Sequence, residues 1–137
     1  MHAVFADTCY WIALLNPRDQ THEVAIRVSK GLADYRILTT EEVLTELLNY
    51  FGERGPYFRA AATKLVQRMQ VDRSIHILPQ SRESFLSGLR LYQARPDKGY
   101  SLTDCISMVA LRREGLGEVL TNDEHFTQEG FTCLLVR

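Results

Sequence analysis

The feature that most constrains this chain is an alternation: short apolar runs are separated by longer segments whose apolar residues recur at helical spacing. Ala3–Ala6, ended by Asp7, reads as a strand buried on both faces of a parallel sheet. Residues 35–39, 75–78, 118–121 and 131–136 read as further strands. Segments 8–15 and 19–31 predict a helical hairpin, and Thr39 with Glu42 reads as a capping box opening a helix through Val43, Leu47 and Phe51. Segment 57–69 is amphipathic, with Arg59, Lys64 and Arg68 towards its polar side. A helix carrying Phe85, Leu86, Leu89 and Tyr92 precedes a turn at 96–99, and Ser101 opens another helix that reaches Arg113. Asn122, Asp123 and His125 fall in a polar segment between the last two strands. Strands alternating with helices predict an α/β domain with a mainly parallel central sheet and helices on both faces.

At 137 residues the sequence predicts a single domain over 1–137, large enough to bury a core without staples. Its 16 basic and 17 acidic side chains leave a formal net charge of −1, so bulk charge recruits no polyanion; RNA binding would need a local basic face or cations over acids. Cys9, Cys105 and Cys133 form no metal-ligand spacing and no disulfide framework, which predicts a reducing compartment. No leader or membrane-length apolar stretch is read, so a cytoplasmic protein with no membrane association is expected.

Ligands of open α/β sheets bind at the carboxyl ends of strands. That rule selects Asp7, just past the first strand, and Thr121, Asn122 and Asp123, just past the fourth. The segment 101–111 is apolar around nearly its whole circumference yet contains Asp104; taken alone, this acid reads as the third helical residue of a variant capping box. Glu46, taken alone, reads as a solvated residue on the polar side of its helix with Glu42 and Asn49. Four carboxylates at one sheet edge would repel one another and raise their pKa values unless a cation compensated them, and hard oxygen donors suit Mg²⁺ or Mn²⁺.

In this combination the sequence resembles the PIN-domain family of metal-dependent ribonucleases, including VapC-type toxins of toxin–antitoxin pairs. ADTCYWIALLNPRDQTH is similar to the first acidic motif, matching at Asp7 and Thr8; TTEEVLTELLNYF resembles the second, at Glu46 with Asn49. SLTDCISMVAL resembles the third at Asp104, and LTNDEHF the fourth at Thr121 and Asp123. The resemblance covers essentially the entire chain. It implies a three-layer α/β/α sandwich and metal-dependent hydrolysis of RNA phosphodiesters, with Asp7, Glu46, Asp104 and Asp123 holding Mg²⁺ or Mn²⁺. It assigns Thr8, Thr121 and Asn49 to orienting an acid or a water. It also implies a cognate antitoxin protein, and a homodimer for which the Trp11 region and the helix around Phe58 and Leu65 are candidates.

Other residues carry weaker signals. His125 reads as an incidental loop histidine near a phosphate site, and Cys9 and Cys105 as packing rather than nucleophiles. Tyr10, Trp11 and Phe126 offer rings for base stacking, with core packing the simpler reading. Arg54, Arg59, Lys64, Arg68, Arg90, Arg95 and Lys98 are available to a phosphate backbone, none of them singled out. Two alternatives differ in kind. A haloacid-dehalogenase-like phosphatase would need a second Asp at position 9, where Cys stands. A catalytically inactive PIN-like module binding RNA or protein would have no use for clustered repulsive charges.

Overall fold

The computed structural model describes residues 2–136. In chain order it forms β1 (Ala3–Ala6), α1 (Thr8–Leu15), α2 (His22–Lys30), β2 (Arg36–Thr40), α3 (Glu41–Gly52), α4 (Pro56–Val71) and β3 (Ile75–Leu78). There follow α5 (Arg82–Ala94), α6 (Leu102–Arg113), β4 (Glu118–Leu120), α7 (Glu124–Gln128) and β5 (Thr132–Cys133).

The five strands make one sheet in the order β3-β2-β1-β4-β5, and every pairing is parallel. Strand order runs one way from β1 to β3 and resumes on the other side of β1 at β4. With right-handed crossovers this reversal puts helices on both faces of the sheet, in agreement with the three-layer expectation. It also opens a crevice between the carboxyl ends of β1 and β4, the switch point where open α/β sheets bind ligands. Val4, Phe5, Ala6, Val119 and Leu120 are fully buried, as central parallel strands require.

Several boundaries differ from the sequence expectation, each for a local reason. The cap of α3 is Thr40, whose side chain accepts the Val43 N–H, rather than Thr39. Thr39 is buried in β2 and donates its hydroxyl to the Ala6 carbonyl at 2.9 Å, tying β2 to β1. The expected helix at 19–31 begins only at His22, because Asp19 instead closes a turn by accepting the Thr21 N–H at 2.9 Å. The predicted strand 131–136 keeps ladder regularity only at Thr132–Cys133, though Leu134 N–H still reaches the Val119 carbonyl. The polar segment after β4 contains a five-residue helix, α7, capped by Asp123.

The segment around Trp11 is core: Trp11 and Tyr10 are 3% and 2% exposed, and Phe126 is fully buried, so none presents a ring to a base or a second subunit. Exposed apolar side chains lie instead on α4 (Tyr57, Val71) and α5 (Phe85, Leu86, Leu89, Tyr92). Helices α5 and α6 meet closely at Gly88, which sits against the Ile106 side chain, with Ile106 N and Cα at 3.2 and 3.3 Å from where a Cβ would be. No described helix is long and apolar enough to cross a membrane.

Candidate active site

The crevice predicted by topology is an open cleft of about 520 Å³. Asp7, Thr8, Glu46, Asp104 and Asp123 all line it, together with His125 and Tyr50. Four separate elements deliver the acids: the end of β1, the middle of α3, the first turn of α6 and the cap of α7.

Asp7 ends β1, where its backbone N–H still pairs with the Leu120 carbonyl at 3.3 Å. It stands at the N-cap of α1 with extended backbone but makes no side-chain capping bond. Its carboxylate is free to turn elsewhere: Oδ2 accepts the Thr121 hydroxyl at 3.0 Å. Thr121 is fully buried and its Oγ1 also accepts the Asp123 N–H at 3.1 Å, so one hydroxyl sets both acids. Cys9 Sγ lies 3.1 Å from the same oxygen. Burial, reinforced by the charges of Asp104 and Glu46, pushes the Asp7 carboxyl up to about 7, although the Thr8 backbone N–H and the Thr121 hydroxyl pull it down.

Asp104 does two jobs at once. It closes the capping box of α6, its Oδ2 accepting the Ser101 N–H at 3.2 Å while Ser101 Oγ accepts the Asp104 N–H at 3.0 Å. The same oxygen faces His125 Nδ1 at 3.3 Å across the cleft. Burial and the nearby Asp123 raise its pKa. Asp123 accepts the His125 backbone N–H through Oδ1 at 2.9 Å, and His125 Nδ1 is 3.4 Å from that oxygen. The structural and functional readings of Asp104 are therefore compatible rather than exclusive. Glu46 is half-buried on the cleft wall, where the sequence taken alone suggested a solvated side chain.

The companion residues divide. Thr8 is buried in the cleft wall and its Oγ1 has no hydrogen-bond partner. Thr121 is the shared anchor already described. Asn49 is exposed one helical turn beyond Glu46 and does not line the cleft. His125, read from sequence as incidental, belongs to the cluster; the signal was its place two residues after Asp123, but its partner Asp104 comes from another element.

No Lys or Arg pairs with any of the four acids among the described residues. Several of the basic side chains are otherwise engaged: Arg95 pairs with Glu129, Arg59 donates to the Gly52 carbonyl, and Arg54 donates to the Tyr50 carbonyl and stacks on its ring. Burial lifts the thiols of Cys9 and Cys105 to about 12 and about 11, so both are neutral packing groups and neither offers a thiolate nucleophile. Oxygen donors, mutual repulsion and an orphaned buried hydroxyl together fit a hard divalent cation.

Comparison with known proteins agrees with this geometry. The PIN domain family model matches residues 4–131. The 23S rRNA-specific endonuclease VapC20 of Mycobacterium tuberculosis is 27% identical over 128 residues, spanning 93% of this chain and 95% of that protein. The crystal structure of M. tuberculosis VapC20, described as a sarcin–ricin loop cleaving toxin, superposes with a TM-score of 0.82 at 24% identity, covering 98% of both chains. VapBC2 from Rickettsia felis, bound to a DNA fragment from its promoter, gives 0.68 at 16% identity over 96% of each chain. With its sheet order, its acids at the switch point and a family match over almost its full length, the chain belongs to the PIN domain family.

Proposed function

We propose that the protein is a divalent-metal-dependent endoribonuclease that hydrolyses RNA phosphodiester bonds, and the toxin of a toxin–antitoxin pair. One observation carries the reading: Asp7 is buried beside Asp104 and Glu46, and among the described residues no Lys or Arg pairs with it. Unpaired buried carboxylates are costly, and chains keep them where an external cation repays the cost.

Asp7, Glu46, Asp104 and Asp123 would hold Mg²⁺ or Mn²⁺. Bound there, a divalent ion supplies activation of a water for in-line attack and neutralises charge on the leaving oxygen. The protein's own part is positioning. Thr121 fixes Asp7 and Asp123 relative to each other through one hydroxyl. Thr8 keeps a buried hydroxyl free to donate to a phosphate oxygen or a water at the cleft floor. Asn49, from the outer turn of α3, would orient RNA arriving at the rim rather than an acid within it. The open shape of the cleft suits a single-stranded loop that can be laid across it.

An antitoxin fits as a partner that covers the same edge. The exposed apolar side chains of α4 and α5 are the surfaces for it and for a second copy of the chain. Of the two homodimer candidates, the Trp11 region and the helix around Phe58 and Leu65, this keeps the second, α4, whose exposed apolar side chains are Tyr57 and Val71.

The test is cleavage of total small RNA and of 23S rRNA, the substrate named for VapC20, with Mn²⁺ or with EDTA, beside Asp104→Asn. Discrete fragments from the wild type alone, and only with metal, are expected. Equal cutting by the variant, or cutting that survives EDTA, would overturn the proposal. Metal-independent binding of RNA without cleavage would instead support the inactive module.

A further inference from the structure

The nuclease reading leaves His125 without a role, yet its ring is the basic group set against the acids. Nδ1 lies 3.3 Å from Asp104 Oδ2 and 3.4 Å from Asp123 Oδ1, and one ligand atom from each residue falls within 4.8 Å of the others. Adjacent ligands of an octahedral ion with bonds of about 2.1 Å are about 3 Å apart. The two distances from Nδ1 thus already have nearly that spacing, and the two carboxylate oxygens are near enough to close on one ion with a small side-chain adjustment.

The ring is held in that orientation. Asp123 Oδ1 accepts its backbone N–H at 2.9 Å, the Tyr100 ring packs beside it at 5.2 Å between centroids, and a Cβ at Gly99 would lie 4.0 Å from Nε2. Nδ1 is thereby turned to the carboxylates and Nε2 to the 96–101 loop. A separate feature of the same cleft also asks for a ligand: the Thr8 hydroxyl, buried and unpartnered in its wall.

We infer that Asp104, Asp123 and His125 form one nitrogen-containing ligand set, which makes this centre prefer a first-row transition ion such as Mn²⁺ over Mg²⁺. Mg²⁺ takes carboxylates, phosphates and waters, whereas imidazole is a ligand of transition ions. His125 would give its Nδ1 lone pair and carry its proton on Nε2. The inference rests on the cleft being a metal centre and adds the identity of a ligand and the selectivity that follows.

The test uses the full chain carrying ¹⁵N-histidine and loaded with Mn²⁺. Pulsed electron paramagnetic resonance reads the coupling of a directly bound imidazole nitrogen, and calorimetry gives Mn²⁺ and Mg²⁺ affinities for wild type, His125→Ala, His125→Gln and Asp104→Asn. Nitrogen coupling is expected in the wild type and absent from His125→Ala. Mn²⁺ affinity should fall in both His125 variants by at least the roughly 10- to 100-fold that loss of a mere outer-shell partner costs, with Mg²⁺ affinity nearly unchanged. Mn²⁺ that binds the wild type, is lost in Asp104→Asn and shows no nitrogen coupling would sink the inference and leave the metal centre standing. No Mn²⁺ binding, or binding indifferent to Asp104→Asn, would remove both. The wild-type spectrum decides the ligand question even where a variant folds poorly.

Discussion

Asp7, a buried residue, and Glu129, a half-buried one whose carboxylate is covered by its partners, end in opposite electrostatic states. Glu129, its side chain 4% exposed, receives Arg95 through paired contacts of 2.8 and 3.1 Å, Arg112 at 2.8 Å and the Tyr100 hydroxyl at 3.1 Å. The Arg95 hydrogen bonds, helped by Arg112 and Tyr100, hold its carboxyl down at about 2. Asp7, 5% exposed, receives hydrogen bonds but pairs with no Lys or Arg among the described residues, and burial drives it up to about 7. Burial pushes both carboxyls up, Asp7 the more strongly, and what holds Glu129 down is the positive charge that its neighbouring arginines supply. A carboxylate used for structure comes with its own arginines. One left without them keeps an unmet demand for positive charge, which the proposed metal would satisfy.

The sharpest way to break this contrast is to neutralise the acid edge. Asp104→Asn should lower metal-dependent RNA cleavage by ~100-fold or more, since removing one electrostatic stabiliser of a reaction costs on the order of 10²–10³. The same change should leave the melting temperature in EDTA unchanged or higher, because it relieves repulsion. A variant that loses activity only by unfolding would defeat the distinction.

Glu129→Ala tests the opposite pole. It strips the shared partner from Arg95 and Arg112, which are half-exposed and regain water, so a loss of about 2 to 3 kcal/mol in urea unfolding is expected. Metal affinity per folded molecule should be little altered. An unchanged stability would mean that the compensated carboxylate is ornamental.

The pH dependence separates the two acids by sign. Asp7 has a folded pKa of about 7, above its ordinary value of 3.8, so the folded state holds the extra proton between these values. Metal-free stability should therefore decline as pH rises from about 4 through 7, by an amount on the order of 1 to 3 kcal/mol. In Asp7→Asn that decline should largely vanish. Glu129 runs the other way: its folded pKa of about 2 lies below 4.5, so its contribution is complete above 4.5 and lost as pH falls through 2. Unfolding curves for wild type and Asp7→Asn at pH 5 and pH 8 would test the Asp7 sign, and those for wild type and Glu129→Ala at pH 5 and pH 3 the Glu129 sign.

The smallest effect belongs to Arg112→Met. Arg95 and Tyr100 would still hold Glu129, leaving a destabilisation of about 1 kcal/mol by thermal melting. A loss as large as that of Glu129→Ala would show that Arg112 alone compensates the acid.

Most of the sheet was legible because buried parallel strands have a short, unbroken apolar signature; Asp7 and Asp123 stood out because each follows such a strand, whereas Glu46 and Asp104, both within helices, were singled out only by the family resemblance. Thr39 and Thr40 show where that legibility stops. Both precede the helix at capping distance, and only the pairing of β1 with β2, which claims the Thr39 hydroxyl, decides between them. Helix α7 has five residues, too few for any periodicity to register. His125 lies 21 residues from Asp104 and Glu129 lies 34 from Arg95, so their partnerships exist only once α7 packs beside the start of α6 and the end of α5. The orientation of Glu46 towards the cleft rather than solvent is likewise a matter of which helix sits beside α3.

Gly88 bears on all of this from the far side of α6. The two helices touch there, backbone against backbone, and Ile106 stands two residues after Asp104 on the same rod. A hydrogen atom at position 88 is the shim that sets how deep that rod is seated in the domain. Any larger group would lift α6, and with it the carboxylate that faces His125. The reach of the acid cluster is thus gauged by a residue that has no chemistry of its own.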